Sequence, residues 1–530
     1  MREKIMARFR MRRGAAVAAA VLVPVVAGGF LLQTRIAQQL GPQLLNQVMG
    51  IVAGRYVDTL ADSLIYEKAA AGLVQELNDP YSELLTPADL KQFNTRVEGH
   101  YGGLGMLIED QRGITTITKV YPNTPAERAG VREGDQIIKA DTLSTAGWSL
   151  SQVSNYLTGD PGTHVSVRFS RPGVGAPIDI SFTRAIIQIP AVPYAIMLDG
   201  KVGYLPLQTF SDNSADETTA ALKTLIADGA TGIVLDLRGN GGGIVDQSIT
   251  IASLFLKANA EIASVRGRAN ESEDYTAKGS PMAPAIPLIV LIDPGTASAS
   301  EIVTGGLQDH DRALVVGETS FGKGLVQSVY SLDGGYALKL TTAKWYTPSG
   351  RSIQRPRKYV NGQFVDEPAD STESDSSKTS RPAFKSDDGR TVYGGGGITP
   401  DLIVANDTLP KAAREFVKAV APKSQDFYLI LYDYGLELSK QVTPNFAVQP
   451  AWRDEFFRRL QAKGVLTDRK LYDAAQSYVD LTLEQRVDRF AFGDSAAERR
   501  FVGLDAPLRR SIALLSKAHT QAELFALAKQ

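Results

Sequence analysis

Two short apolar runs, each closed by turn residues, constrain the fold more than any other feature. Gly232-Ile233-Val234-Leu235-Asp236-Leu237 ends in Arg238-Gly239-Asn240-Gly241-Gly242-Gly243, and Leu288-Ile289-Val290-Leu291-Ile292 ends in Asp293-Pro294-Gly295. Apolar runs of this length bounded by glycine and proline read as buried strands. Helix-like residues 218–227 and the strand-like run 203–207 alternate with them, so residues 188–405 read as an α/β domain. The chain has 530 residues, which leaves room for further units on both sides.

Residues 36–98 place Leu60, Leu64, Leu73, Val74 and Leu77 at helical spacings and read as a helical region. Residues 99–187 change to short β runs between turns and predict a compact, mostly β module. Residues 365–390, rich in Ser, Asp, Glu, Thr and Pro, read as a flexible insertion in the α/β domain. Residues 406–530 read as a charged helical region serving interaction or dimerisation. At the front, Arg2, Lys4, Arg8, Arg10, Arg12 and Arg13 precede an apolar run over 14–32, the pattern of an export signal. Residues 1–35 are therefore expected to be a signal anchor or signal peptide, with the arginines in the cytoplasm and the rest in the cell envelope, tethered to the inner membrane on its periplasmic side.

Composition excludes several chemistries. Lys plus Arg total 57 against 58 Asp plus Glu, so the net charge of −1 provides no global field for a nucleic-acid backbone. Cysteine is absent, which removes disulfides, thiolate nucleophiles and thiolate metal sites, and four histidines leave little for a His-rich metal centre. No cofactor or metal is expected. Of the histidines, His310, between Asp309 and Asp311, is the competitor for a Ser-His-Asp arrangement, with a helix-end surface role as its other reading.

Two blocks carry candidate chemistry. Gly295-Thr296-Ala297-Ser298-Ala299-Ser300-Glu301 follows an apolar strand; a serine at a strand-to-helix junction is exposed at a sheet end, and the next N–H lies at a positive helix terminus suited to an oxyanion. Helix capping by Ser298 or Ser300 explains the same residues. Gly317-Glu318-Thr319-Ser320-Phe321-Gly322-Lys323-Gly324 nearly matches a phosphate-binding loop, but Gly324 stands where a Ser or Thr would hold Mg²⁺.

Within the β module, Tyr101-Gly102-Gly103-Leu104-Gly105-Met106, Pro125-Ala126-Glu127-Arg128-Ala129-Gly130 and Gly134-Asp135-Gln136-Ile137-Ile138 resemble a PDZ domain. Glycines there let backbone N–H groups approach a terminal carboxylate while a sheet edge accepts an extended peptide. Together with Asp79-Pro80-Tyr81-Ser82, the two blocks above, the 236–243 turn and Tyr346-Thr347-Pro348-Ser349-Gly350-Arg351, the chain resembles the carboxy-terminal processing peptidases, or tail-specific proteases, over about residues 60–405. The resemblance implies a crotonase-like α/β core, Ser298 as nucleophile, Lys323 as general base and Gln327 orienting it. It also implies an oxyanion hole from the N–H groups of Gly242 and Ala299, and a peptide site at Gly103, Leu104 and Gly105, with Arg171 sensing bound peptide. Substrates would be proteins with free C-termini, and the helical termini would form a homodimer.

A Ser-Lys pair is chemically sound. Serine is a poor nucleophile until a neighbouring base takes its proton. Lysine serves as that base once an apolar pocket lowers its pKa, and Phe321, Leu325 and Val326 are expected to supply such surroundings. The family has proline where Gly241 stands; the looser loop implies an oxyanion hole that forms when substrate arrives. The alternative from another class is a non-catalytic PDZ scaffold on a protease fold.

Overall fold

The computed structural model describes residues 41–111, 113–171, 174–268, 272–360, 363–366, 381–405 and 409–530. The expected export segment 1–35 and residues 367–380 of the expected insertion lie outside the described residues. Among the described residues, no helix is long and apolar enough to cross a membrane. Two compact units form: residues up to Leu85 with Val329–Leu340, and Thr86–Ser328 with Thr341–Gln530.

In the first unit a helix over 41–55 and the helix Asp62–Gln75 precede the strand Glu83–Leu85, which pairs antiparallel with residues 337–339. Ile65 and Val74 are buried, whereas Leu45, Val48, Ile51 and Leu73 are exposed.

The second unit is built on a six-stranded sheet in the order Ile196–Leu198, Val202–Pro206, Gly232–Asp236, Leu288–Ile292, Leu314–Gly317, Leu402–Ile403. The first pair is antiparallel and the remaining pairings are parallel. Parallel strands are covered on both faces, which is why the runs at 232 and 288 are apolar throughout instead of alternating. Ile233, Leu235, Val290 and Ile292 belong to one core, shared with helices Ser214–Ala227, Val245–Ser253 and Ala299–Asp309. Val234, Ile289 and Leu291 belong to another, closed by Leu508, Leu514, Leu515 and Leu524 of helices Ala506–Leu515 and Gln521–Ala528. The end of the tail, read from sequence as an interaction element, is thus the second cover of the sheet. An amphipathic helix has the same pattern whether its apolar face meets a sheet or another chain. Earlier tail helices, including Ser424–Leu438, Pro450–Ala462 and Gln476–Phe492, pack around Leu431, Phe456, Leu460 and Leu483.

The mostly β module forms an antiparallel sheet in the order Met106–Gln111, Ile114–Val120, Gln136–Ala140, His164–Ser170, Ile178–Thr183. Val165, Val167 and Phe169 alternate inward along one strand, and Phe169 meets Phe182 edge-on at 6.2 Å. Met106–Gln111 lies at the sheet edge, beside the helix Leu150–Leu157. The insertion's described end is tied to the core: Ala383–Lys385 pairs with Thr391–Tyr393, and Arg390 forms ion pairs with Asp311 and Asp401.

Arg351, in the motif at 346–351, is wholly buried. Its guanidinium donates to Asp309 Oδ1 at 2.7 Å, Gln308 Oε1 at 2.8 Å and the Tyr393 carbonyl at 2.8 Å. Burial pushes its pKa down while Asp309 opposes the shift. Arg351→Met is expected to lower the unfolding free energy by about 3–5 kcal/mol, because Asp309 is left buried without its cation. Urea denaturation measures this, and an unmoved midpoint would contradict it.

Candidate active site

The loop after strand Gly232–Asp236 and the start of helix Ala299–Asp309 meet at one end of the sheet. Gly242 has φ 95°, and a Cβ there would lie 2.8 Å from Ser298 Cβ and 2.9 Å from the Ala299 nitrogen. Only glycine lets this backbone lie against both. Ser298 itself has φ 55° and ψ −115°, a conformation that costs a non-glycine residue about 1–3 kcal/mol and persists where surrounding contacts enforce it. Ser298 is half-buried, whereas Ser300 is fully buried and donates its hydroxyl to the Asn240 carbonyl at 2.9 Å. Ser300 is therefore a packing residue and Ser298 is the serine open to the site.

The enforcing contacts come from Glu301, a residue the sequence reading did not single out. Its wholly buried carboxylate accepts from the Ser298 N–H at 2.8 Å, the Ser320 hydroxyl at 2.5 Å, the Gly322 N–H at 2.7 Å and the Lys323 N–H at 2.9 Å. One side chain thus joins the backbone of Ser298 to the backbone of Lys323. Burial pushes its carboxyl above the usual range, and the four donors pull it back. The only signal in the sequence was a glutamate three residues after a helix-start serine, the spacing of a capping box.

Lys323 is half-buried, and its carbonyl accepts from the Trp345 indole at 3.0 Å. Gln327 lies on the following strand, Leu325–Ser331, with its Nε2 on Thr341 Oγ1 at 3.1 Å. The loop 317–324 does not form a phosphate cradle: a strand follows it instead of a helix, and the N–H groups of Gly322 and Lys323 are taken by Glu301. His310 follows the other end of the eleven-residue helix that begins after Ser298, about 16 Å away. Its ring binds Asp387 at 2.7 Å and the Glu261 carbonyl at 2.6 Å, so it is a helix-end residue remote from Ser298.

The expected oxyanion hole is only partly open. Ala299 begins the helix, where N–H groups lack intrahelical acceptors. The Gly242 N–H instead donates to Asn240 Oδ1 at 2.9 Å, while Asn240 Nδ2 holds the Leu207 carbonyl at 2.7 Å.

In the β module, a cavity of about 340 Å³ opens beside the edge strand and is lined by Leu104, Gly105, Met106, Ile108 and Leu157, with Tyr101 and Tyr121. Gln92 and Thr95, from helix Pro87–Glu98, close one side. Of the expected peptide-site residues, Leu104 and Gly105 line the cavity, and Gly103 lies under the Tyr101 ring. Arg171 lies elsewhere: it grips the buried Asp135 with two bonds of 2.7 and 2.8 Å and the Gly130 carbonyl at 2.9 Å. A bidentate arginine-carboxylate pair commits the fork that peptide sensing would need.

Residues 201–360 match the model of peptidase family S41, and residues 116–171 match a PDZ domain. A carboxy-terminal-processing protease of Bartonella bacilliformis is 39% identical over 308 residues, 57% of this chain and 70% of that protein. The carboxy-terminal processing protease CtpA of Bacillus subtilis is 34% identical over 311 residues, 59% of this chain and 66% of that protein. The match thus spans about two thirds of each of these curated relatives. Among solved structures, a photosystem II D1 C-terminal processing protease aligns at 27% identity over 67% of this chain and 85% of that one, with a TM-score of 0.36. The family match and the curated relatives define the chain as a serine-type peptidase. It belongs to peptidase family S41, in company with the carboxy-terminal-processing proteases.

Proposed function

We propose that this chain is an exported endopeptidase in which Ser298 is the nucleophile and Lys323 the general base, and that it takes protein substrates by their C-terminal carboxylate. The observation that carries the reading is the Glu301 carboxylate, which bonds the Ser298 and Lys323 N–H groups with a single oxygen. Neutral Lys323 takes the Ser298 hydroxyl proton as the oxygen attacks the scissile carbonyl. The Ala299 N–H meets the oxyanion, joined by that of Gly242 once it leaves Asn240. Lys323 then returns the proton to the departing amine, and water hydrolyses the acyl-enzyme. Gln327, its nitrogen held by Thr341, takes the role of orienting the lysine.

Docking begins in the β module, where an extended tail adds to the Met106–Gln111 edge and an apolar last residue fills the cavity lined by Leu104, Met106 and Leu157. Substrate then favours the arrangement with an open oxyanion hole to the extent that it binds that arrangement better. Export by residues 1–35 brings the catalytic region to the envelope side of the inner membrane. Pairing of two copies through the N-terminal helices is supported by the exposed Leu45, Val48, Ile51 and Leu73. In a cleavage assay, converting a substrate's terminal carboxylate to the amide is expected to lower kcat/KM about tenfold, the worth of a charge-assisted hydrogen bond. Equal rates would remove the carboxylate-capture step.

A further inference from the structure

We propose that Asp505, at the start of a tail helix, is a positioning residue for peptide-bond cleavage: it holds Arg238 and so fixes the loop that offers the Gly242 N–H to the oxyanion. The proposal rests on the Ser-Lys reading above and adds a residue of the tail to it.

The tail helix Ala506–Leu515 runs along the strand Gly232–Asp236, and the two elements meet at both ends. At one end a Cβ on Gly232 would lie 3.0 Å from Leu515 Cβ, so glycine lets the close of the helix settle on the start of the strand. At the other end Arg238, two residues past the strand, meets Asp505, the residue before the helix. Arg238 donates Nη1 to Asp505 Oδ1 at 3.0 Å and Nη2 to Asp505 Oδ2 at 2.7 Å. Its Nε and Nη2 also reach Asp236, at 2.9 and 2.6 Å. The guanidinium thus lies between two carboxylates with both donor edges used, a fork geometry that sets direction as well as distance. Its side chain is 15% exposed and that of Asp505 21%, so salt screens the pair little. Asp236 is fixed in turn by the Tyr204 hydroxyl at 2.8 Å.

Arg238 opens the loop 238–243. At the loop's far end Phe210 holds the chain: its N–H donates to the Gly242 carbonyl at 3.2 Å, and its carbonyl accepts from the Ile244 N–H at 2.8 Å. Near the first end the Gly239 N–H donates to Asp293 Oδ1 at 2.8 Å, which ties the main chain to the next strand's turn. Asp505 adds the tie to the tail. With both stems anchored, the change that turns the Gly242 N–H from Asn240 to an oxyanion is confined to the residues between them. Without the Asp505 carboxylate, the Arg238 guanidinium keeps Asp236, a partner from its own strand that moves with it. An oxyanion donor works because it is in place before the reaction, so slack in this loop costs rate and not substrate binding.

Helix capping separates this role from a structural one. Asp505 Oδ1 also accepts the Leu508 N–H at 2.9 Å as the N-cap of its helix. Asn and Ser cap helices about as well as Asp, so Asp505→Asn and Asp505→Ser keep the helix start while removing the carboxylate. The full-length variants are assayed beside the parent and Ser298→Ala on a fluorescein-labelled unfolded protein extended by Ala-Val-Leu with a free carboxylate. Both are expected to lose about tenfold in kcat, less than the roughly 10²–10³-fold of losing an oxyanion donor outright, with KM within about twofold. Their thermal midpoints should match the parent's. An unchanged kcat, a loss confined to KM, or a loss accompanied by a lowered midpoint overturns the proposal and leaves Asp505 a cap. The Ser-Lys reading survives any of these results as long as Ser298→Ala is inactive. If Ser298→Ala cleaves like the parent, that reading fails and takes the proposal with it.

Discussion

Ser298→Ala is expected to lower cleavage of a free-carboxylate substrate by about 10⁴–10⁶-fold, with Lys323→Ala doing the same and the double variant no worse than either. Nucleophile and base act as one device: once either is gone the other has nothing to activate or be activated by, so the losses do not add. Lys323→Arg is the sharper control. It keeps a cation at the position but holds its proton at every working pH, and a base must be able to take a proton. Arginine should therefore be as inactive as alanine. Single-turnover rates measure the parent enzyme and the four variants, each with a thermal melt to show that folding is intact. Substantial activity in Ser298→Ala or Lys323→Arg would sink the Ser-Lys assignment, and activity absent from the parent enzyme on any tail would favour the non-catalytic scaffold.

Glu301→Gln is expected to lower kcat by about 10²–10³-fold, the scale of losing one preorganised hydrogen bond at an active site, with KM changed less than about threefold. The substitution keeps shape and volume but replaces one oxygen by NH₂. Whichever end carries it, that NH₂ faces a backbone donor: Ser298 and Lys323 on one oxygen, Gly322 on the other. One of those N–H groups must lose its acceptor in a fully buried place. The Ser298 backbone, already at a positive φ, then has less holding it, and the loop bearing Lys323 loses its tie to the helix start. Glu301 is a positioning residue, so the pH profile of what activity remains should keep its shape. A shifted limb would instead give Glu301 a share in the proton transfer.

The residues proposed to carry the chemistry are legible where a short local pattern suffices. The apolar strands at 232 and 288 declared the sheet, and a serine after the second marked the helix start. Lys323 stood out for its glycine-rich surroundings. What stayed hidden depends on residues distant in sequence. Glu301 is one more glutamate in a first helical turn until the chain returns 22 residues later to place Lys323 on it. The engagement of the Gly242 N–H needs the Asn240 side chain turned inward, which its bond to the Leu207 carbonyl enforces. Arg171 finds Asp135 across 36 residues, a pairing that no local motif announces.

The double cover of the parallel sheet also bears on when this peptidase becomes competent during its own synthesis. Val234, Ile289 and Leu291 share their face of the sheet with Val202, Leu314 and Val316, and Leu508, Leu514, Leu515 and Leu524 cover that face. A nascent chain that already contains Ser298, Glu301 and Lys323 thus holds them at the end of a half-clothed sheet. The sheet gains this cover only when residues 506–528 have emerged, long after the whole of the β module.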